Sequence, residues 1–130
     1  GRALALSAEF ESDLNAMAWL WKDHTAIAEA EEMTEAAREM PYLPTIGGSY
    51  SSEWFWAKAW HCERVAPTVF EAADTWAELC DYIPALLTGQ RPQDSFRSAC
   101  AAGQSTERAC AATSSFGTRP LRNFKALIHA

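Results

Sequence analysis

No stretch of this chain approaches the roughly 20 consecutive apolar residues that a membrane helix needs, so no membrane span is expected. Positive charge is scarce. Eleven Lys/Arg stand against seventeen Asp/Glu, a formal net charge of −6, which argues against nucleic acid or an anionic membrane surface as the partner. Cys62, Cys80, Cys100 and Cys110 follow neither a zinc spacing nor a Cys-x-x-Cys redox pattern. They read as free thiols of a cytosolic protein. An export signal is not visible: the apolar opening Gly1–Leu6 is short, and Glu9, Glu11 and Asp13 follow it. The expected location is therefore cytoplasmic. Gly47 and Gly48 lack the rest of a P-loop or dinucleotide pattern and read as a plain turn. His24 and His61 have no third ligand at useful spacing, so no metal site is expected. Internal repeats are absent.

Tryptophan, in contrast, is concentrated. Trp54, Phe55, Trp56 and Trp60 fall within the eleven residues Tyr50–Trp60, directly behind Ile46–Ser49. An indole offers a flat apolar face and one N–H donor, which suits a dense core or a surface that stacks a ring-shaped ligand. With 130 residues, 48% of them apolar, the chain can form one modest domain with a real core.

Short segments alternate along the chain. Arg2–Ser7 reads as a short strand or the end of a hairpin, Phe10–Asn15 as a loop, and Ala16–Trp21 as a short buried strand. Asp23 is placed to cap the helix that follows. Ile27, Ala30, Thr34 and Ala37 recur there at helical spacing, with Glu29, Glu31, Glu32 and Glu35 mostly toward water. Pro41 ends that helix, and Pro41–Gly48 forms a loop. Ser51 or Ser52 opens the tryptophan-rich helix. Phe55, Ala59 and Cys62 make one stripe and Trp56 and Trp60 another, so burial on more than one side is expected. Pro67 suits the first position of another short helix. Thr75–Cys80 reads as a strand, Asp81 caps a last helix through Leu87, and Gly89 stops it. The alternation predicts an α/β arrangement.

Four blocks carry a resemblance: Trp21-Lys-Asp-His-Thr-Ala26, Ile46-Gly-Gly-Ser-Tyr-Ser-Ser-Glu-Trp-Phe-Trp-Ala-Lys58, Trp76-Ala-Glu-Leu-Cys-Asp-Tyr-Ile-Pro-Ala-Leu-Leu-Thr-Gly89 and Arg91-Pro-Gln-Asp94. In this order they resemble bacterial ribulokinases, of the FGGY carbohydrate kinase family, from residue 1 to about Gly103. The resemblance implies a partial ribonuclease H-like (actin-like ATPase) domain over residues 1–103. It also implies a parent activity: MgATP-dependent phosphorylation of L-ribulose at O5, in pentose catabolism. The family's phosphate hairpin, general base and adenine site have no counterpart here. Phosphoryl transfer depends on those groups, so this polypeptide is expected to bind no MgATP and to be inactive alone. Uncovered apolar surface then invites self-association. The reading from a different class is a non-enzymatic sugar-binding or protein-interaction module that uses the tryptophan surface.

No catalytic residue is assigned. The resemblance places Trp21 against the sugar, where an indole can pack on the C–H face of a polyol. The competing reading is a core tryptophan. Lys22 and His24 could line the cleft, against a solvated loop, and Asp23 is read as a cap. Tyr50 lies near a substrate-contacting tyrosine of the superfamily. Trp54, Trp56 and Trp60 are read as packing residues, and the four glutamates as a solvated helix face rather than an acid/base pair.

Residues 104–130 diverge. Where the family continues Arg97–Gly103 with His-Lys, whose lysine contacts substrate, this chain has Gln104 and Ser105. Charge breaks nearby as well: residues 1–90 hold five Lys/Arg and fifteen Asp/Glu, residues 91–130 six and two. Out-of-frame translation accounts for both. Gln104-Ser105-Thr106 can be encoded CAA-AGC-ACT, which one base later reads Lys, Ala and the start of Leu. A gene with no family sequence in either alternate frame would refute that explanation.

Overall fold

The computed structural model describes residues 2–91. Four α-helices stand in this span: α1 (Ile27–Ala36), α2 (Phe55–Val65), α3 (Pro67–Ala72) and α4 (Leu79–Leu87). Short 3-10 turns occupy Leu4–Leu6, Leu14–Ala16 and Leu43–Ile46. The divergent segment 104–130 and the end of segment 1–103 lie outside the described residues.

No strand occurs among the described residues, so the strands expected at Arg2–Ser7, Ala16–Trp21 and Thr75–Cys80 are corrected. A strand needs a partner for its ladder hydrogen bonds, and none of these segments has one here. The backbone closes on itself instead. Ser7 N–H reaches Leu4 O at 2.8 Å, Phe10 N–H reaches Ser7 O at 3.1 Å, and Asp13 N–H reaches Phe10 O at 3.0 Å. The apolar run Ala16–Trp21 leaves Met17, Leu20 and Trp21 exposed rather than buried. The α/β class expected from the sequence is thus not realised within residues 2–91, which are helical.

The helices obey their sequences better. α1 ends before Pro41, with Glu29 in its first turn, where the helix dipole favours an acid. α2 stops at Ala66, whose φ of −141° and ψ of 62° are non-helical. The residue before a proline avoids helical angles, and Pro67 then opens α3 at its first position. α4 begins at Leu79, with Asp81 inside its first turn rather than capping it. Its end is a Schellman closure: Gly89 takes φ +69°, and Gln90 N–H returns to Ala85 O at 2.9 Å. The tryptophan helix is not opened by a serine side chain. Its cap is Trp54, without a side-chain bond, and Ser51 Oγ instead accepts from Glu53 N–H at 3.2 Å.

α2 is the centre of the packing and is buried on two sides, as its apolar circumference predicts. On one side Trp56, Ala57 and Trp60 meet Ala26, Ala30 and Met33 of α1 and its approach. On the other Cys62 joins Ala66, Val69, Phe70 and Phe10, with Trp19 and Trp76 against them. α1 and α2 are also tied by side chains, His61 to Glu29 and Arg64 to Glu29 and Glu32. α4 is more loosely held and shows Leu79, Ile83, Leu86 and Leu87 to solvent. Cys62, buried, and Cys80, exposed, are not disulfide-bonded. Cys100 and Cys110 lie outside the described residues. No described helix is long and apolar enough to cross a membrane.

Candidate functional site

The segment Leu20–Asp23 is a tight turn closed by Asp23 N–H on Leu20 O at 3.0 Å. Trp21 and Lys22 are its two central residues, and both project into solvent. Trp21 is 68% exposed and lies outside the core of the described residues.

Asp23 does not cap α1, whose cap residue is Ala26 without a side-chain bond. Its carboxylate instead accepts from the Thr25 hydroxyl and from Thr25 N–H, the latter at 2.9 Å. These bonds, the hydroxyl's first, hold the Asp23 carboxyl below its ordinary value against the opposing effect of burial. A depressed folded pKa contributes stability that is complete above the ordinary carboxylate range and lost as pH falls through the folded value. Replacing Thr25 with valine is expected to let the Asp23 titration climb toward the ordinary aspartate value. Carboxyl-detected NMR reads this, and an unmoved titration would discharge the hydroxyl as the cause.

Behind the turn stands Lys58, on the α2 face and only 8% exposed. Its ammonium donates to Leu20 O at 2.8 Å and to Asp23 O at 2.6 Å. Burial lowers the Lys58 pKa, while the charges of Asp23 and Glu53 oppose that shift. His24, next in the chain, places Nδ1 3.1 Å from Ser52 Oγ and Nε2 3.6 Å from Glu53 Oε1. The mouth of α2 therefore holds the turn from beneath.

Beside the turn opens a cavity of about 350 Å³ whose lining includes Leu14, Trp19, Leu20, Asp23 and His61. Trp19 is fixed by Nε1–H on Asn15 O at 3.0 Å and meets the His61 ring edge-on at 5.6 Å. His61 is oriented from the far side, its Nδ1 3.0 Å from Glu29 Oε2. Glu29 also accepts from Arg64 at 3.2 Å, and Arg64 forks onto Glu32 at 2.7 and 2.8 Å. The Arg64 guanidinium stacks 4.2 Å over the Trp60 ring. Glu29 is only 3% exposed, which corrects the reading of this glutamate as part of a solvated face. Glu31, Glu32 and Glu35 are exposed as expected.

Tyr50 stands elsewhere. Its N–H donates to Thr34 Oγ1 at 2.9 Å, and its phenol lies 3.3 Å from the Tyr42 hydroxyl. It meets Trp54 edge-on at 5.7 Å and packs against the α1–α2 cluster. Burial raises its phenol pKa, helped by the Tyr42 hydroxyl. The structure thus joins Trp21 and Lys22 in one turn and sets Tyr50 beside the third turn of α1, without a hydrogen bond or ring contact to either. Sequence reasoning missed Lys58 and the Glu29–His61–Arg64 network. The available signal was a lone lysine flanked by Trp56, Ala57, Ala59 and Trp60.

The Gly47–Gly48 turn does not form a phosphate site. Phosphate-binding turns aim free amides at the ligand. Gly47, at φ +94°, closes the 3-10 turn before it, and the two glycine amides are spent on Pro44 O at 3.2 Å and Leu43 O at 2.9 Å. Among the described residues no group of three His, Cys, Asp or Glu is disposed to hold a metal ion.

No family model matches the chain. Individual relatives do. The chain is 49% identical over 107 residues to the ribulokinase of Vibrio parahaemolyticus, covering 79% of this chain and 19% of that protein. It is 36% identical over 105 residues to the ribulokinase of Geobacillus thermodenitrificans, covering 79% and 18%. With the ribulokinase of Shouchella clausii it shares 41% over 86 residues, covering 65% and 15%. The chain therefore spans less than a fifth of the length of the curated relatives it matches.

Proposed function

We propose, for a chain that carries ribulokinase-like sequence over about four fifths of its length, that it is a segment of a carbohydrate kinase presenting a sugar-facing turn. Residues 1–103 are read as part of the actin-like first domain, whose α/β sheet would be completed by polypeptide other than the described residues. The parent reaction is MgATP-dependent phosphorylation of L-ribulose at O5 in a cytoplasmic enzyme. Within these 130 residues the role is narrower: to offer the Trp21 indole and the Lys22 ammonium to a pentulose. An indole face supplies apolar contact to sugar C–H groups and an ammonium donates to hydroxyls. One observation carries the reading: Trp21, inside the matched Trp21–Ala26 block, stands exposed at the apex of a turn anchored on both ends.

No phosphoryl-transfer step is assigned to this polypeptide, because its glycine turn has no amide free for a phosphate. The tryptophan-surface module gains no support, since Trp56 and Trp60 are inside the core. Tyr50 is secondary to Trp21 and Lys22, being engaged in packing.

Titration calorimetry with L-ribulose tests this. Heat is expected at millimolar sugar and is expected to vanish in Trp21→Ala. A wild-type chain silent at millimolar sugar would reject the sugar-facing role. In a coupled ATP-consumption assay no ribulose-dependent turnover is expected, and measurable turnover would overturn the narrower role.

A further inference from the structure

Trp21 and Lys22 are the central pair of a four-residue turn, and the carbonyls at the two ends of that turn, Leu20 O and Asp23 O, converge on one atom. That atom is Lys58 Nζ, at 2.8 and 2.6 Å. The lysine comes from α2, 35 to 38 positions further along the chain. The Asp23 carboxylate binds Thr25 and His24 meets Ser52 and Glu53, but all of these act at the Asp23 end, and among the described side chains Lys58 alone joins both ends. Leu20 is exposed, and so are Trp21 and Lys22. Apolar contact therefore cannot fix where the indole points. Within the turn Asp23 N–H closes on Leu20 O, and a single closing hydrogen bond is a weak restraint. A buried ammonium is costly unless its protons find acceptors, and the acceptors that Lys58 finds are these two turn carbonyls.

We propose that Lys58 is the positioning residue of the sugar-facing turn: one buried ammonium pins both ends of Leu20–Asp23 and so fixes the presentation of Trp21 and Lys22. This rests on the sugar-facing reading above for its functional half, while the pinning itself stands independently. The mechanism is preorganisation. With the turn free, ordering it would be charged against each binding event. With the turn pinned to a helix, that ordering is complete before the sugar arrives. Lys58 touches no sugar in this scheme.

Hydrogen–deuterium exchange on the 130-residue chain, resolved for the peptide covering residues 18–26, separates this role from general fold support. Lys58→Met keeps the apolar stem and deletes the donors. Exchange in residues 18–26 is expected to quicken about tenfold, while α1 and α3 keep wild-type rates. Lys58→Gln, with one short donor group, should fall between. If Lys58→Met leaves residues 18–26 unchanged, or if every segment quickens together, the pinning role is overturned. Calorimetry with L-ribulose adds the functional half. Wherever the wild-type chain binds, Lys58→Met should weaken binding about tenfold with Trp21 intact, and unaltered affinity would overturn the positioning role. A silent wild-type chain with a loosened 18–26 peptide would instead reject the sugar-facing reading and leave the pinning established.

Discussion

Trp60→Ala is expected to lower the unfolding free energy by about 3–5 kcal/mol, the usual cost of truncating a buried tryptophan. Trp60 is 6% exposed and packs with Ala26, Ala30, Met33 and Trp56. Three members of its cluster, Ala26, Ala30 and Ala57, are alanines, which cannot swing inward to refill the space an indole leaves, so much of the cavity would persist. The face of the ring also carries the Arg64 guanidinium, which the truncation would leave without its platform. Small domains hold only about 5–15 kcal/mol in total, so this one change would consume a large share. Urea denaturation monitored by circular dichroism measures it. Trp60→Phe, which keeps an aromatic face, should lose less. A loss under 1 kcal/mol for the alanine variant would show that the α1–α2 contact is not the principal core.

Glu29→Ala is the second large effect. The carboxylate is buried and serves two partners on α2, His61 at 3.0 Å and Arg64 at 3.2 Å. Removing one member of a buried pair commonly costs 3–5 kcal/mol, because the partner is left buried and unmatched. Here Arg64 is partly wetted and keeps Glu32, which places the expected loss at about 3 kcal/mol, the low end of that range. Glu31→Ala, two residues on and exposed, should stay within about 0.5 kcal/mol of wild type. The same urea titration compares the two. Equal, small losses would mean that Glu29 does no more than its solvated neighbours.

These two residues show what the sequence made readable. The tryptophan helix announced burial on two sides because its apolar positions cover most of its circumference, and that is how Trp60 and Cys62 are placed. Pro67 and Gly89 were legible for a local reason: each restricts or frees its own backbone, whatever surrounds it. Glu29 was not legible. Four glutamates share one short helix, and which of them turns inward depends on His61 and Arg64, 32 and 35 positions away. Lys58 was hidden in the same manner, since its acceptors are backbone carbonyls that no side-chain pattern marks. The strand expectations failed for the opposite reason. Ala16–Trp21 has the composition of a strand, but pairing is a property of two segments, and residues 2–91 offer it no second one. Of the proposed site, Trp21 and Lys22 were suggested by resemblance alone and share one turn, whereas Tyr50 packs apart from them against Trp54 and Thr34.

One consequence follows from α2 lying between α1 and α3. Its two flanks belong to different clusters, yet they are borne by a single rod of eleven residues. If that rod frays, both clusters lose a wall at once, so neither can melt by itself and leave the other standing. Phe10 and Met33, which share no cluster, are thereby bound to a common fate, and the three-helix unit yields as a whole or not at all.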